Sequence, residues 1–226
     1  MNTDHVAPVI ELRGAVAVLG SFPALAGADL RVERGEILLL RGPNGAGKTS
    51  LLRVCAGLLP LERGAGRVLG LDLATGRDVV RSRTGLLGHQ NGLYLELTVR
   101  ENLEFWGRTV GGSRDDVASA MTRMNVDGRL ADVRAARLSA GQRRRTALAA
   151  LLIRRAELWL LDEPHAGLDA AGRDELDGVL RDAVSSGATV VVSSHETERA
   201  AALATRMVAV DGGLVREGDA CSGASC

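Results

Sequence analysis

Short apolar runs bounded by polar residues recur along the chain and predict the strands of a buried sheet. The clearest are Glu36–Leu40, Leu158–Leu161 and Thr189–Ser193, which are rich in Leu and Val and too short for independent helices. Segments with apolar residues at helical spacing alternate with these runs: Thr49–Ala56, Gln142–Arg154, Ala170–Val184 and Glu196–Ala204. Strands that alternate with helices favour an α/β fold built around a parallel sheet.

Two antiparallel strand pairs are predicted outside that alternation. Val9–Leu12 and Ala28–Val32 are predicted as strands of an antiparallel edge region. Further along, Met207–Val210 and Leu214–Arg216 flank Asp211-Gly212-Gly213, whose residues favour the tight turn of a hairpin.

Residues 90–138 have a different character. Val99–Trp106 and Asp115–Met124 predict helices, and Gly111-Gly112-Ser113 separates them. We therefore predict a single domain, 1–226, in three parts: a core with its β subdomain at about 9–89 and 139–217, a helical subdomain at 90–138 and a flexible tail at 218–226.

The predicted strand Glu36–Leu40 runs into a glycine-rich segment that has the features of a phosphate-binding loop. Its residues are Gly42, Pro43, Asn44, Gly45, Ala46, Gly47, Lys48, Thr49 and Ser50. The glycines let backbone N–H groups turn towards phosphate oxygens, and the following helix adds the positive end of its dipole. Lys48 is predicted to reach the β- and γ-phosphates, and Thr49 to place its hydroxyl on Mg²⁺. A chance glycine turn is disfavoured by the strand before the loop and the helix after it.

Two acidic residues close the apolar run Leu158–Leu161. A buried parallel strand presents its last residues at the carboxyl edge of the sheet, beside the phosphate loop. Asp162 is therefore predicted to hold Mg²⁺ through water, and Glu163 to orient and polarise an attacking water as a catalytic residue. Taken without the loop, the pair could equally be a helix cap before Pro164.

A third motif, Leu138-Ser139-Ala140-Gly141-Gln142, lies between the first two. In this order and spacing the three motifs resemble the nucleotide-binding domain of ABC transporters, from about Val9 to Glu217. The resemblance implies a P-loop NTPase fold with an antiparallel β edge and a helical subdomain. It also implies that 138–142 is the signature loop, through which Ser139 and the backbone of Gly141 contact ATP bound to the opposite subunit. Ala140 stands where the family more often has glycine, and Ser139 is at the same time the predicted N-cap of the next helix.

The same resemblance implies roles for three more residues. Gln90 is similar to the family's Q-loop glutamine, which senses Mg²⁺ and the membrane partner. Asp169 is similar to the D-loop residue that crosses the dimer seam, and His195 to the switch histidine that contacts the γ-phosphate. The cofactors implied are ATP and Mg²⁺, and the assembly implied is a homodimer that closes on ATP.

One position departs from the family pattern. The family often stacks adenine on an aromatic residue, and the corresponding position here is Leu19. Phe22 lies three residues further on. We expect either that Phe22 supplies the platform or that the base is bound more weakly, because stacking on an aromatic ring contributes to affinity.

The stretch from Gly88 to Trp106 is more specific. Gly88-His89-Gln90-Asn91-Gly92 and Glu101-Asn102-Leu103, together with the signature loop, resemble the ATP-binding subunit of the bacterial haem exporter of cytochrome c maturation, the CcmA type. The resemblance implies integral membrane partner subunits and a groove at Gln90–Phe105 that receives them. A general small-molecule or drug exporter remains the alternative, and so does release of a haem-loaded chaperone in place of haem transport. Core packing remains the alternative role for Phe105 and Trp106.

The balance of acidic and basic residues argues against one class of partner and does not by itself indicate a function. Lys plus Arg and Asp plus Glu both number 28, and aromatic residues make up 2% of the chain. This balance gives no electrostatic reason to expect nucleic acid as a partner, so Arg143, Arg144 and Arg145 are assigned to a solvated helix face. A soluble cassette acting on nucleic acid or ribosomes is less favoured, and Glu163 with His195 argues against a scaffold with little turnover.

The chain's expected location follows from what its sequence lacks. No signal peptide is recognised at Met1, and no uncharged stretch is long enough to cross a bilayer. We therefore expect a peripheral protein at the cytoplasmic face of the cell membrane, held there by partner subunits. Cys55, Cys221 and Cys226 do not form the pattern of a disulfide framework or a metal site, which favours a reducing compartment.

Overall fold

The computed structural model describes residues 7–194 and 197–217, and their strands form two sheets. The smaller sheet contains β1 (Ile10–Leu19), β2 (Phe22–Val32), β4 (Arg63–Val68) and β5 (Leu71–Asp72). The larger contains β3 (Ile37–Arg41), β6 (Thr84–Leu87), β7 (Leu158–Asp162), β8 (Thr189–Ser193), β9 (Arg206–Asp211) and β10 (Leu214–Glu217). The strand orders are β2-β1-β4-β5 and β10-β9-β3-β8-β7-β6. The small sheet is antiparallel, and the large one is parallel except for β10.

Helices connect and cover the strands: α1 (Lys48–Cys55), α2 (Arg77–Arg83), α3 (Val99–Thr109), α4 (Arg114–Arg123), α5 (Ala140–Arg154), α6 (Ala170–Ser185) and α7 (Thr197–Leu203). Three of them begin with a capping box, in which a hydroxyl residue and an acid or amide three positions later satisfy each other's backbone N–H groups. The pairs are Thr98 with Glu101, Ser113 with Asp116, and Ser139 with Gln142. These local pairs fix where α3, α4 and α5 start.

The large sheet is buried on both faces. In β7, Leu158 and Leu160 pack into the core shared with α1 and the small sheet. Trp159 and Leu161 point to the opposite face, where α3, α4, α5 and α6 pack. Double-sided burial is the physical reason that parallel strands appear in the sequence as continuous apolar runs.

The predicted α/β fold with an antiparallel β edge is confirmed. The sequence did not predict β4, β5, β6 or α2, and β4 is the clearest case. Its sequence, Arg-Gly-Ala-Gly-Arg-Val, has poor strand propensity, but pairing with β1 holds it in the sheet. The division at 90–138 remains a prediction, and the 218–226 tail lies outside the described residues.

Candidate active site

The phosphate loop connects β3 to α1 and is shaped by close backbone contacts. Gly47 is the N-cap of α1 at φ 109° and, as a glycine, has no side chain with which to cap the helix. A Cβ at Gly47 would lie 2.7 Å from the carbonyl oxygen of Ala24, so a larger residue would force the loop away from β2. The uncapped first N–H groups of α1 and its dipole make this end of the helix a binding site for an anion.

Lys48 lies along the loop with its ammonium group held in place. Its Nζ donates to the carbonyl oxygens of Gly42, at 2.7 Å, and Pro43, at 3.0 Å. The side chain is largely buried, so the positive charge is fixed inside the loop rather than free in solvent. This is the position from which a lysine binds phosphate oxygens.

Asp162 ends β7 and is bound on both carboxylate oxygens. Thr49 Oγ1 donates to Oδ2 at 2.7 Å, and Ser193 Oγ donates to Oδ1 at 2.5 Å. Thr49 and Asp162 therefore lie next to each other, as the sequence predicted. Their hydroxyl and carboxylate oxygens are the hard ligands that Mg²⁺ prefers, so the residues fit this ion. Ser193 was not predicted, although it ends the adjacent strand in register with Asp162.

Glu163 follows Asp162 with a left-handed backbone, at φ 49°. Such a conformation costs a residue with a side chain about 1–2 kcal/mol. The backbone N–H of Glu163 donates to the carbonyl oxygen of Ser193 at 3.1 Å, which anchors the turn to β8. The strained turn directs the chain out of the sheet at the carboxyl edge, where Glu163 lines the cleft.

The cleft measures about 540 Å³ and is bounded by four parts of the fold. Its lining comprises Leu19, Phe22, Pro23 and Ala24 of the β1–β2 hairpin, Asn44 to Ser50 of the phosphate loop, and His89, Asp162 and Glu163. His89, rather than its neighbour Gln90, is among these residues, and Gln90 is exposed. The role of Gln90 remains a prediction, and His195 lies outside the described residues.

Arg144 corrects one interpretation of the sequence. It is 4% exposed, so it does not belong to a solvated helix face. Burial lowers the pKa of Arg144 to about 10, and the negative charges of Asp162 and Glu163 act in the opposite direction. The guanidinium therefore remains charged at neutral pH. It donates to the carbonyl oxygens of Gly88, Asp162, Glu163 and Pro164 and to the side chain of Asn91.

Arg145 and the signature loop lie beside the segment 167–169. Arg145 binds Asp169 at 2.9 Å and Glu175 at 3.1 Å. Asp169 also caps α6 through the N–H of Gly172, and this hydrogen bond, followed by Arg145, lowers the pKa of the Asp169 carboxyl. A Cβ at Gly141 would lie 2.7 Å from the carbonyl oxygen of Gly167, so glycine is required at that close approach.

An aromatic cluster lies on α3 and the loop before it. Tyr94 and Phe105 meet edge to face with ring centroids 5.0 Å apart, and Phe105 meets Trp106 in the same way at 5.5 Å. Trp106 packs on the core, whereas Phe105 is 38% exposed and Tyr94 49% exposed. The sequence left core packing and partner binding open for both Phe105 and Trp106. In the structure Trp106 packs on the core, whereas Phe105 is accessible to a partner.

Among the described residues, no helix has the length and apolar character needed to cross a membrane.

Comparisons with known proteins agree with this geometry. The ABC transporter family model matches residues 25–166. The cytochrome c biogenesis ATP-binding export protein CcmA of Bradyrhizobium diazoefficiens is 40% identical over 183 residues, which cover 81% of this chain and 90% of that protein. The CcmA protein of Bordetella bronchiseptica is 42% identical over 213 residues, covering 93% of each chain. The dimeric structure of a bacterial ABC transporter cassette matches with a TM-score of 0.85 at 24% identity, covering 95% of this chain and 100% of that one.

The predicted resemblance to ABC transporters and the more specific resemblance to CcmA are both confirmed, since the family model and the CcmA relatives each cover most of the chain. The solved cassette supports the fold alone. The chain is an ATP-binding ATPase that belongs to the ABC transporter family and, within it, to the CcmA-type ATP-binding proteins.

Proposed function

We propose that this chain hydrolyses Mg-ATP in the cleft beside the phosphate loop and thereby drives an export complex of cytochrome c biogenesis, in which haem or a haem-loaded chaperone is moved or released. The observation that carries the hydrolysis is the meeting of Lys48, Thr49, Asp162 and Glu163 around one cleft. The export role is supported by the CcmA relatives, whose names state it of those proteins.

The residues divide the reaction between binding and proton transfer. The backbone N–H groups of residues 44–50 and the ammonium of Lys48 hold the phosphates. Glu163 orients a water for attack on the γ-phosphorus and accepts its proton as the bond to the ADP oxygen breaks. Thr49 and Asp162, with Gln90 as the further candidate, would hold Mg²⁺, which when bound neutralises charge on the phosphate oxygens. His195 is proposed to contact the γ-phosphate.

A second subunit completes the site. In this proposal the signature loop, comprising Leu138, Ser139, Ala140, Gly141 and Gln142, covers the γ-phosphate bound to the opposite chain, and Asp169 lies at the seam. Support comes from α5, whose first turn begins inside that loop at Ala140 and adds its dipole. The close approach of Gly141 to Gly167 supports the same proposal, because it brings 138–142 next to 167–169 within one chain.

The partners proposed are integral membrane subunits, which bind the exposed pair Tyr94 and Phe105 in the groove formed by Gln90–Phe105. Aromatic residues are frequent anchors in protein interfaces. This surface belongs to the proposed helical subdomain at 90–138. Membrane contact is made through those subunits, at the cytoplasmic face of the cell membrane, and nucleic acid is not a partner.

A complementation experiment tests this function. The gene is deleted in the source cells, and either the wild-type chain or Glu163→Gln is returned at equal levels checked by immunoblot. We expect the wild type to restore covalent haem on c-type cytochromes, measured by peroxidase staining of denaturing gels, and Glu163→Gln to fail. If the deletion leaves those cytochromes intact while the purified chain still hydrolyses ATP, the cytochrome c role is wrong and a general exporter takes its place.

A further inference from the structure

Arg144 joins segments of the catalytic region that are far apart in sequence. It lies on the second turn of α5, and within the described chain its five hydrogen bonds reach the end of β7 and the loop at 88–91. Four acceptors are backbone carbonyl oxygens and the fifth is Asn91 Oδ1. The guanidinium therefore fixes backbone positions and does not form a simple ion pair.

The contacts at β7 hold both peptide groups that flank the Cα atom of Glu163. One terminal nitrogen of Arg144 donates to the Asp162 carbonyl at 2.7 Å and to the Glu163 carbonyl at 2.6 Å. The Asp162 carbonyl belongs to the peptide before Glu163, and the Glu163 carbonyl to the peptide after it. Because φ and ψ are rotations between these two peptides, holding both holds the left-handed backbone of Glu163. The direction of its carboxylate depends on that backbone.

The other terminal nitrogen ties this arrangement to the 88–91 loop. It donates to the Gly88 carbonyl at 2.9 Å and to Asn91 Oδ1 at 3.2 Å. His89, between these two residues, lines the cleft. A displacement of the loop would remove two acceptors from a buried charged donor, which is costly unless the guanidinium moves with the loop.

We propose that Arg144 is a positioning residue that holds Glu163 in its hydrolytic orientation and makes that orientation depend on the 88–91 loop. The proposal rests on the role of Glu163 as the base given above. Arg144 acts through the backbone of Glu163 and is not among the residues that line the cleft.

Arg144→Gln in the purified chain tests the positioning role, with Arg154→Gln as a matched control. Arg154 lies on the same helix, is half-buried and donates to the carbonyls of Thr84 and Arg81, away from the cleft. We expect Arg144→Gln to lower kcat about 100-fold while the Kd for Mg-ATP stays within about twofold, because misplacing a reacting group slows the chemistry. The control should keep kcat within about twofold of wild type. Unchanged kcat in Arg144→Gln, or an equal loss in the control, would overturn the proposal.

The dimer state separates positioning from loss of structure. If Arg144→Gln binds ATP without hydrolysing it, the variant should accumulate an ATP-bound dimer in size-exclusion chromatography, as Glu163→Gln should. An aggregated or ATP-free protein would contradict the positioning role. Arg144→Lys keeps the charge but replaces the planar fork with one ammonium group, so its kcat should lie between those of Arg144→Gln and wild type.

A double-mutant cycle with Asn91→Ala tests the link to the loop. We expect Asn91→Ala to lower kcat severalfold in the wild-type background and to have no further effect in Arg144→Gln, because both changes break the same connection. Additive effects would remove the link. A wild-type chain that hydrolyses no ATP would instead contradict the proposed function, so the two failures are distinguishable.

Discussion

Phe22 stands at the rim of the cleft, three positions beyond the residue at which the family often has an aromatic. It is 78% exposed and is paired across the β1–β2 hairpin with Leu19, which also lines the cleft. A bare aromatic ring at the mouth of a nucleotide cleft has a free face for stacking on a base. The geometry is therefore suited to the substitute platform that the sequence suggested.

We expect Phe22→Ala to weaken ATP binding about fivefold or more, which corresponds to the loss of about 1 kcal/mol of stacking. Binding of tripolyphosphate, which has no base, should be unchanged. Isothermal titration calorimetry on both ligands measures the difference, and Leu58→Ala serves as a control because Leu58 is exposed away from the cleft. An unchanged Kd for ATP in Phe22→Ala would show that the ring is not the platform.

Single residues also show what the sequence can and cannot predict about the site. Lys48, Thr49, Asp162 and Glu163 were placed from motifs, because each motif is tied to a strand end or a helix start. Arg144 was misassigned, because three consecutive arginines on a helix give no sign of which of them are buried; the side chain of Arg145 is also only 15% exposed. Which of them are buried is decided by how α5 packs, which is a property of the folded chain.

At the scale of elements, α3 is joined to the loop before it by one buried amide. Asn102 accepts from the N–H of Tyr94 at 2.8 Å and donates to the carbonyls of Tyr94, Leu97 and Thr98. It thereby binds the N–H of Tyr94 and adds a second hydrogen bond to three carbonyls that also accept from backbone N–H groups. The same contacts hold Tyr94 against Phe105, so the exposed aromatic pair is a fixed surface.

We expect Phe105→Ala to weaken association with the membrane subunits about tenfold or more, because central aromatic anchors often contribute over 1 kcal/mol to binding. The Kd for ATP and the melting temperature should stay close to wild type. Biolayer interferometry on detergent-solubilised membrane subunits measures the association. Val110→Ala, an exposed change just after α3, is the control, and equal losses in ATP binding and association would indicate unfolding.

Elements were predictable where local chemistry and tertiary context agree. The capping residues Thr98, Ser113 and Ser139 lie directly before helices that the apolar spacing also predicts. β4 and β6 were missed for opposite reasons. β4 has a sequence that disfavours a strand, whereas β6 is only four residues long and follows α2 without a break. Both exist because neighbouring strands pair with them.

At the scale of the whole molecule, the signature loop and the 167–169 segment meet outside the nucleotide cleft. Neither segment lines that cleft. The first leads into α5 and the second into α6. In the two-subunit site proposed above, both segments would face a second copy of the chain. Closure on ATP and reopening after hydrolysis would then follow from ligand binding across the seam.

We expect Glu163→Gln to form a dimer in the presence of Mg-ATP and to remain a monomer without it, because ATP in the proposed site bridges two chains and this variant does not consume it. Size-exclusion chromatography with light scattering measures the mass. Lys48→Ala in the Glu163→Gln background should abolish the dimer, since phosphate binding is lost. A monomer under all conditions, with ATP demonstrably bound, would contradict the two-subunit site.

The position of β3 has a consequence for synthesis of the chain on the ribosome. β3 carries the phosphate loop, yet its two partners, β8 and β9, are made about 150 and about 170 residues later. At a synthesis rate of about 5–20 residues per second, the apolar run of β3 remains without its partner strands for roughly 8 to 34 seconds. The nascent chain should therefore be unable to bind ATP until residues near 211 have emerged, and a chaperone that covers apolar segments should associate with it during that interval.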